Sequence, residues 1–135
     1  MKPAIAATAC LAGVLASSLL AESSDSEWIG VWEGRLDGQP SVTLTLARDT
    51  GQLSGTLVLN IIKKEDGGQP HVAAVEPHAL INPRVDGNSL SFGVRKIDQS
   101  TLLNFIVALT PEGKARIHCT NCGKDAPTVD MDRAW

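Results

Sequence analysis

The segment Ile117–Gly123, "IHCTNCG", holds the side chains best suited to chemistry. Cys119 and Cys122 are separated by two residues, and His118 precedes the first of them. A cysteine pair at this spacing serves as a redox centre, as half of a zinc site, as a haem attachment or as a structural disulfide. Haem attachment requires a histidine directly after the second cysteine, where this chain has Gly123, so that function is excluded.

The other uses of the cysteine pair need surroundings that the sequence does not supply. A zinc site needs two further ligands, and no second C-x-x-C is present. A thioredoxin-like centre places C-x-x-C at the start of a helix, whereas this pair follows a strand-like run and precedes the loop "GKDAP". We therefore expect a structural disulfide between Cys119 and Cys122, with a redox or metal role as the alternative. Its small loop adds only about 2 kcal/mol of chain-entropy stabilisation.

The remaining titratable residues form no catalytic pattern. His71 and His78 flank a proline-containing stretch and could share a metal, but histidines in loops are more often simply exposed. Glu33 and Asp37 lie near the first turn, where carboxylates are usually solvated. No phosphate loop, dinucleotide fingerprint, hydrolase elbow or zinc-protease motif occurs. We expect no catalytic residue, no metal site and no cofactor, and a protein that is not an enzyme.

The N-terminal residues 1–21 have the layout of a secretory signal peptide. Lys2 supplies the basic start, Ala4–Leu20 is an uncharged and mostly apolar run, and Ala21 precedes the polar "ESSDSE". Cleavage is expected after Ala21, with a cut after Ser18 as the second choice and a retained N-terminal anchor as the alternative. The protein is therefore predicted to be exported, to the periplasm or the extracellular space, with no membrane association after cleavage.

The rest of the chain divides into a short flexible lead-in, residues 22–27, and one domain, residues 28–135. The chain carries 12 basic and 15 acidic residues, and the loss of Lys2 with the signal peptide leaves 11 against 15. No dense lysine and arginine cluster occurs, so nucleic acid and anionic membrane surfaces are not expected partners.

Short runs of alternating apolar and polar residues, separated by turn residues, dominate the domain. "SVTLTLA" is typical, because Val42, Leu44 and Leu46 share one face of a strand. The turns "RDTGQ", "VDGN" and "TPEGK" separate such runs. The pattern predicts an all-β fold, an antiparallel up-and-down β-barrel of seven or eight strands, with a two-sheet β-sandwich as the alternative. Pro77 and Pro83 restrict the middle of the domain to an edge strand, a bulge or a loop.

The first strand adds a family resemblance. "WIGVWEG" contains a G-x-W motif at Gly30–Trp32, followed later by "LSGTL". Together these motifs resemble the opening of the calycins, the lipocalin-like and avidin-like barrels, and in particular small secreted bacterial barrels of uncharacterised function. The resemblance implies that Trp32 lies at the closed end of the barrel and packs against an arginine of the last strand. Arg133 occupies that strand and shares the parity of Met131.

A lipocalin-like barrel would bind a small apolar ligand inside. The candidate lining residues are inward-facing apolar side chains. The sequence favours the alternative that the same side chains fill a solid core. They are Leu44, Leu57, Phe92, Phe105, Ile117 and Met131.

A second hypothesis moves the function to the outer surface. Apolar residues on the nominally outward faces of two strands form a candidate patch for another exported protein, unless a bulge shifts the parity. They are Val58, Ile62, Leu102 and Ile106.

Overall fold

The fold is all-β, in a computed structural model that describes residues 26–95 and 100–134. The predicted signal peptide, residues 1–21, lies outside the described residues. The described part contains nine strands. They are β1 (Gly30–Leu36), β2 (Gln39–Asp49), β3 (Gln52–Lys63), β4 (His71–Ala79), β5 (Ile81–Asp86), β6 (Ser89–Arg95), β7 (Leu102–Leu109), β8 (Ala115–Cys119) and β9 (Val129–Arg133).

All nine strands belong to one antiparallel sheet that forms a half-barrel. Their order across the sheet is β4-β3-β2-β1-β9-β8-β7-β6-β5, so strands adjacent in sequence are adjacent in space and β1 also pairs with β9. This single sheet differs from the two separate sheets of the sandwich alternative. The β1–β9 ladder brings the two ends of the domain together in the middle of the sheet.

The sheet has nine strands where seven or eight were predicted, because the proline-containing middle forms two strands. Only Leu80 separates β4 from β5, and these strands lie at the two ends of the sheet order. The amide of Leu80 donates a hydrogen bond to the carbonyl of Gly55 on β3, 3.1 Å away. The register of β5 against β6 shifts next to Pro83, where Asn82 has a φ of 50°. The predicted edge position and bulge are both present, since proline cannot donate to a central ladder.

Burial follows the predicted alternation of the strands. Val42, Leu44 and Leu46 of β2 are buried together, and β8 alternates strictly between buried and exposed positions. This inward face forms one apolar core, whose exclusion of water is the main stabilising contribution. The side chains below 2% exposure are Trp28, Trp32, Leu44, Leu46, Leu57, Leu90, Met131, Val94 and Val107.

Gly34 allows β1 to lie close to both of its neighbours. A Cβ atom at this position would lie 2.7 Å from Cγ1 of Val129 and 3.0 Å from Cγ1 of Val42. The second glycine of G-x-W-x-G therefore supplies the space in which side chains of β2 and β9 meet across β1.

Candidate ligand-binding cavity

Trp28, Trp32 and Arg133 lie together at one end of the half-barrel, which is called the Trp–Arg end below. Both tryptophans are buried, and their ring centroids are 6.3 Å apart. The indole Nε1 of Trp32 donates a hydrogen bond to the carbonyl of Trp28, 3.1 Å away. Trp28 was not singled out from the sequence, because it precedes the first strand and shares no alternation with it.

Arg133 covers Trp32, its cross-strand partner. The guanidinium carbon lies 4.3 Å from the centroid of the indole ring. Its nitrogens donate hydrogen bonds to the carbonyls of Ile29, at 2.7 Å, and of Glu27. The cation–π contact and these bonds tie the segment before β1 to the last strand. The pair proposed from the calycin resemblance is thus in contact at one end of the sheet.

At the other end the core opens into a cavity of about 580 Å³. β9 runs from this cavity, at Val129, to the Trp–Arg end, at Arg133. Most of the lining side chains on the strands are apolar, and the rest of the wall is the loop between β8 and β9. The lining residues are Ser41, Val42, Leu59, Ile61, Glu76, Leu103, Phe105, Ile117, His118, Cys119, Cys122, Gly123, Lys124, Asp125, Ala126, Pro127 and Val129.

The six candidate lining residues divide between the cavity and the core. Phe105 and Ile117 line the cavity. Phe92 stacks on Phe105 from outside the lining, with ring centroids 5.5 Å apart. Leu44, Leu57 and Met131 are fully buried and fill the middle of the half-barrel. The interior is therefore filled in the middle of the half-barrel and open beside Phe105 and Ile117.

Glu76 and His78 form a polar pair on the inward face of β4. They pair across the ladder with Leu59 and Leu57, so their side chains share the inward face of those leucines. Glu76 lines the cavity, and His78 is buried. Nε2 of His78 lies 3.5 Å from Oε1 of Glu76, within ion-pair distance, but makes no hydrogen bond with it.

Glu76 was not identified from the sequence, and His78 was identified only as one of two histidines that flank the proline-containing stretch. The stretch that holds them carries two prolines and alternates poorly, so it gave no inward face on which to place them. His71 and His78 stand at opposite ends of β4, on the order of 20 Å apart at the usual strand rise. No group of three or more metal-binding side chains occurs within residues 26–95 and 100–134.

The loop between β8 and β9, which follows Cys119 and is called the cysteine loop, shapes the cavity mouth. Cys119 and Cys122 are joined as a disulfide, with their Cα atoms 5.6 Å apart. Asn121, between them, fastens the loop to the start of β7. Its side chain donates to the carbonyl of Leu102 at 2.9 Å and accepts from the amide of Asn104 at 2.8 Å. The disulfide and these bonds together hold the loop against the cavity.

The candidate partner patch lies in two places. Val58 and Ile62 are half-buried on β3, whereas Leu102 and Ile106 are on β7. β2, β1, β9 and β8 lie between these two strands in the sheet order. The β7 half borders a surface depression of about 350 Å³, and Ile106 is 43% exposed. The four residues therefore do not make one continuous surface along the sheet.

A depression of about 590 Å³ also lies at the Trp–Arg end. Besides Trp32, Leu109 and Arg133, its walls are residues of the segments that flank the strands, namely Glu27, Asn88, Thr110, Pro111 and Gly113. The cavity under the cysteine loop has about the same volume but far more apolar strand side chains, which is the composition typical of small-molecule sites.

Comparisons of the chain with protein-family models, with curated proteins and with solved structures gave no match. In the described part of the chain, no helix has the length and apolar character needed to cross a bilayer.

Proposed function

We propose that this chain is an exported, non-enzymatic β-barrel of calycin type that binds a small apolar ligand in the cavity under the cysteine loop. The cavity carries the proposal. Its volume of about 580 Å³ falls within the range of about 300–1,000 Å³ for small-molecule pockets. Its apolar walls would shed water on binding an apolar molecule, and that release is the main driving force for such complexes.

The strand order supports a closed barrel of eight up-and-down strands. β4 and β5 follow one another with only Leu80 between them, and each pairs with a different edge of the sheet. Counted as one bent strand, they connect β3 to β6 and complete the circle. An eight-stranded barrel is just wide enough to hold one small ligand.

The contact between Trp32 and Arg133 supports the calycin assignment, because the resemblance implies this pair independently of the structure. Export is supported by the N-terminal pattern of residues 1–21 and by the cysteine pair, since disulfides persist in oxidising compartments. The alternative, an interaction module acting through its outer surface, has less support because its four residues do not form one surface.

Thermal unfolding with a panel of short-chain alcohols, fatty acids, alkylamines and small aromatics tests the proposal. A compound that binds only the folded state raises the melting temperature by mass action. We expect Leu103→Trp, which fills the cavity from β7, to abolish the increase. Ile106→Trp, on the outward face of the same strand, should leave it unchanged.

The ligand-free melting curve of Leu103→Trp checks that this variant folds. If Leu103→Trp does not fold, Ala126→Phe replaces it, because this substitution in the cysteine loop narrows the cavity without altering a strand. A panel with no effect on the wild-type melting temperature would contradict the proposal, as would an equal increase in wild type and in both cavity-filling variants.

A further inference from the structure

We propose that the ligand carries a protonated amine and that the carboxylate of Glu76 binds it inside the cavity. This inference rests on the proposed function and names the chemical class of the ligand. It follows from the charges in the wall. The titratable lining residues are Glu76, His118, Lys124 and Asp125.

Glu76 is the charged member of the lining that projects from the inward face of a strand. Lys124 and Asp125 are adjacent, exposed and located in the cysteine loop, so they lie at the mouth and offset one another in charge. His118 has outward parity on β8, and its Nδ1 lies 3.3 Å from the hydroxyl of Thr128. The inner wall therefore presents one carboxylate among apolar side chains.

No described lysine or arginine forms an ion pair with this carboxylate. Lys114 pairs with Asp132 and Arg116 with Asp130, both on the outer surface. The neighbour of Glu76 is His78, which is only 7% exposed. Its Nε2 has no hydrogen-bond partner. Glu76 and His78 can therefore form further hydrogen bonds at the boundary between the core and the cavity.

A ligand that fills the cavity removes water from Glu76, whose side chain is 34% exposed. A purely apolar ligand would leave the carboxylate only the imidazole of His78, which lies 3.5 Å away and makes no hydrogen bond with it. That is unfavourable in an apolar environment. A ligand carboxylate would add repulsion between like charges. A protonated amine instead replaces the lost water with a charge-assisted hydrogen bond, among the strongest available to a carboxylate.

Calorimetric titration with three probes of equal chain length, n-octylamine, n-octanol and n-octanoate, separates these cases. We expect the amine to bind at least tenfold more tightly than the alcohol, and the octanoate most weakly. In Glu76→Gln the amine should lose about tenfold in affinity and approach the alcohol, whose affinity should change little. Glu65→Gln, the same substitution at an exposed glutamate outside the lining, is the matched control and should retain the preference for the amine.

The inference is overturned, with the cavity function intact, if the alcohol or the octanoate binds as tightly as the amine, or if Glu76→Gln keeps the full preference. If none of the three probes binds but another compound of the panel does, this inference alone fails. If no compound binds, the proposed function fails together with it. The ranking of the three probes on the wild-type protein decides the question even if Glu76→Gln does not fold.

Discussion

The guanidinium of Arg133 lies over the buried ring of Trp32, 4.3 Å from its centroid. It also donates hydrogen bonds to the carbonyls of Glu27 and Ile29. One exposed side chain of the last strand thereby fixes both the indole and the backbone that leads into the first strand. Because the two strands are neighbours only in the folded sheet, this contact stabilises the junction between the ends of the domain.

Arg133→Ala should therefore lower the free energy of unfolding by about 2 kcal/mol, the sum of a cation–π contact and two modest hydrogen bonds. Arg116→Ala is the matched control. Arg116 is an exposed arginine whose Nε lies 2.8 Å from Oδ1 of Asp130 on β9, and exposed ion pairs contribute about 0–1 kcal/mol. Urea denaturation measures both variants. Equal small losses of unfolding free energy at the two positions would show that the Trp–Arg contact stabilises the fold no more than an exposed ion pair does.

Gly34→Ala should destabilise the sheet, because the added Cβ would lie 2.7 Å from a methyl of Val129. Overpacking of this kind costs about 1–3 kcal/mol. Gly68→Ala is the control, since the nearest atom to its added Cβ, the carbonyl oxygen of Glu65, is 3.4 Å away. Chemical denaturation of the two variants gives the comparison, and a Gly34→Ala protein as stable as wild type would show that β1 and β9 are not tightly packed.

The fold could be predicted from the sequence where the alternation of apolar and polar residues along a strand matches the alternation of buried and exposed positions. The alternation along β2 and β8 reflects one buried face, so Val42, Leu44 and Ile117 could be placed inward from spacing alone. Arg133 could be placed opposite Trp32 because the family resemblance supplied a long-range contact that alternation does not contain.

The cavity could not be predicted in the same way. Pro77 and Pro83 disrupt the alternation of the middle segment. This segment divides at Leu80 into β4 and β5 because β4 pairs with β3 and β5 pairs with β6. Such long-range pairing leaves no local pattern in the sequence. Glu76 and His78 therefore had no predicted face. The hollow at one end also depends on how the cysteine loop is held by Asn121, a contact between distant segments.

The cysteine pair should be oxidised in the exported protein. Alkylation should label neither thiol before reduction and both after it. Reduction should lower the melting temperature, since the small loop contributes about 2 kcal/mol, and should increase hydrogen exchange in the cysteine loop. Asn121→Ala, which leaves the disulfide intact but removes two bonds to β7, should increase the same exchange. Two thiols labelled in unreduced protein would contradict a structural disulfide.

Export should leave a mature protein that begins near Glu22. Intact-mass measurement of the periplasmic or secreted fraction tests this directly, and Cys10 should be absent from that protein. A full-length chain starting at Met1 and recovered with the membranes would instead indicate a retained anchor.

The central claim is that the cavity between the core and the cysteine loop holds the ligand, and methyl-detected NMR with n-octylamine tests it most directly. We expect intermolecular NOEs from the alkyl chain to methyl groups of Leu59, Ile117 and Val129, which line the cavity. Leu46 and Leu90, buried in the filled core, should show none. NOEs confined to outward residues such as Val58 and Ile106, or no NOE at any methyl group under saturating probe, would contradict the claim.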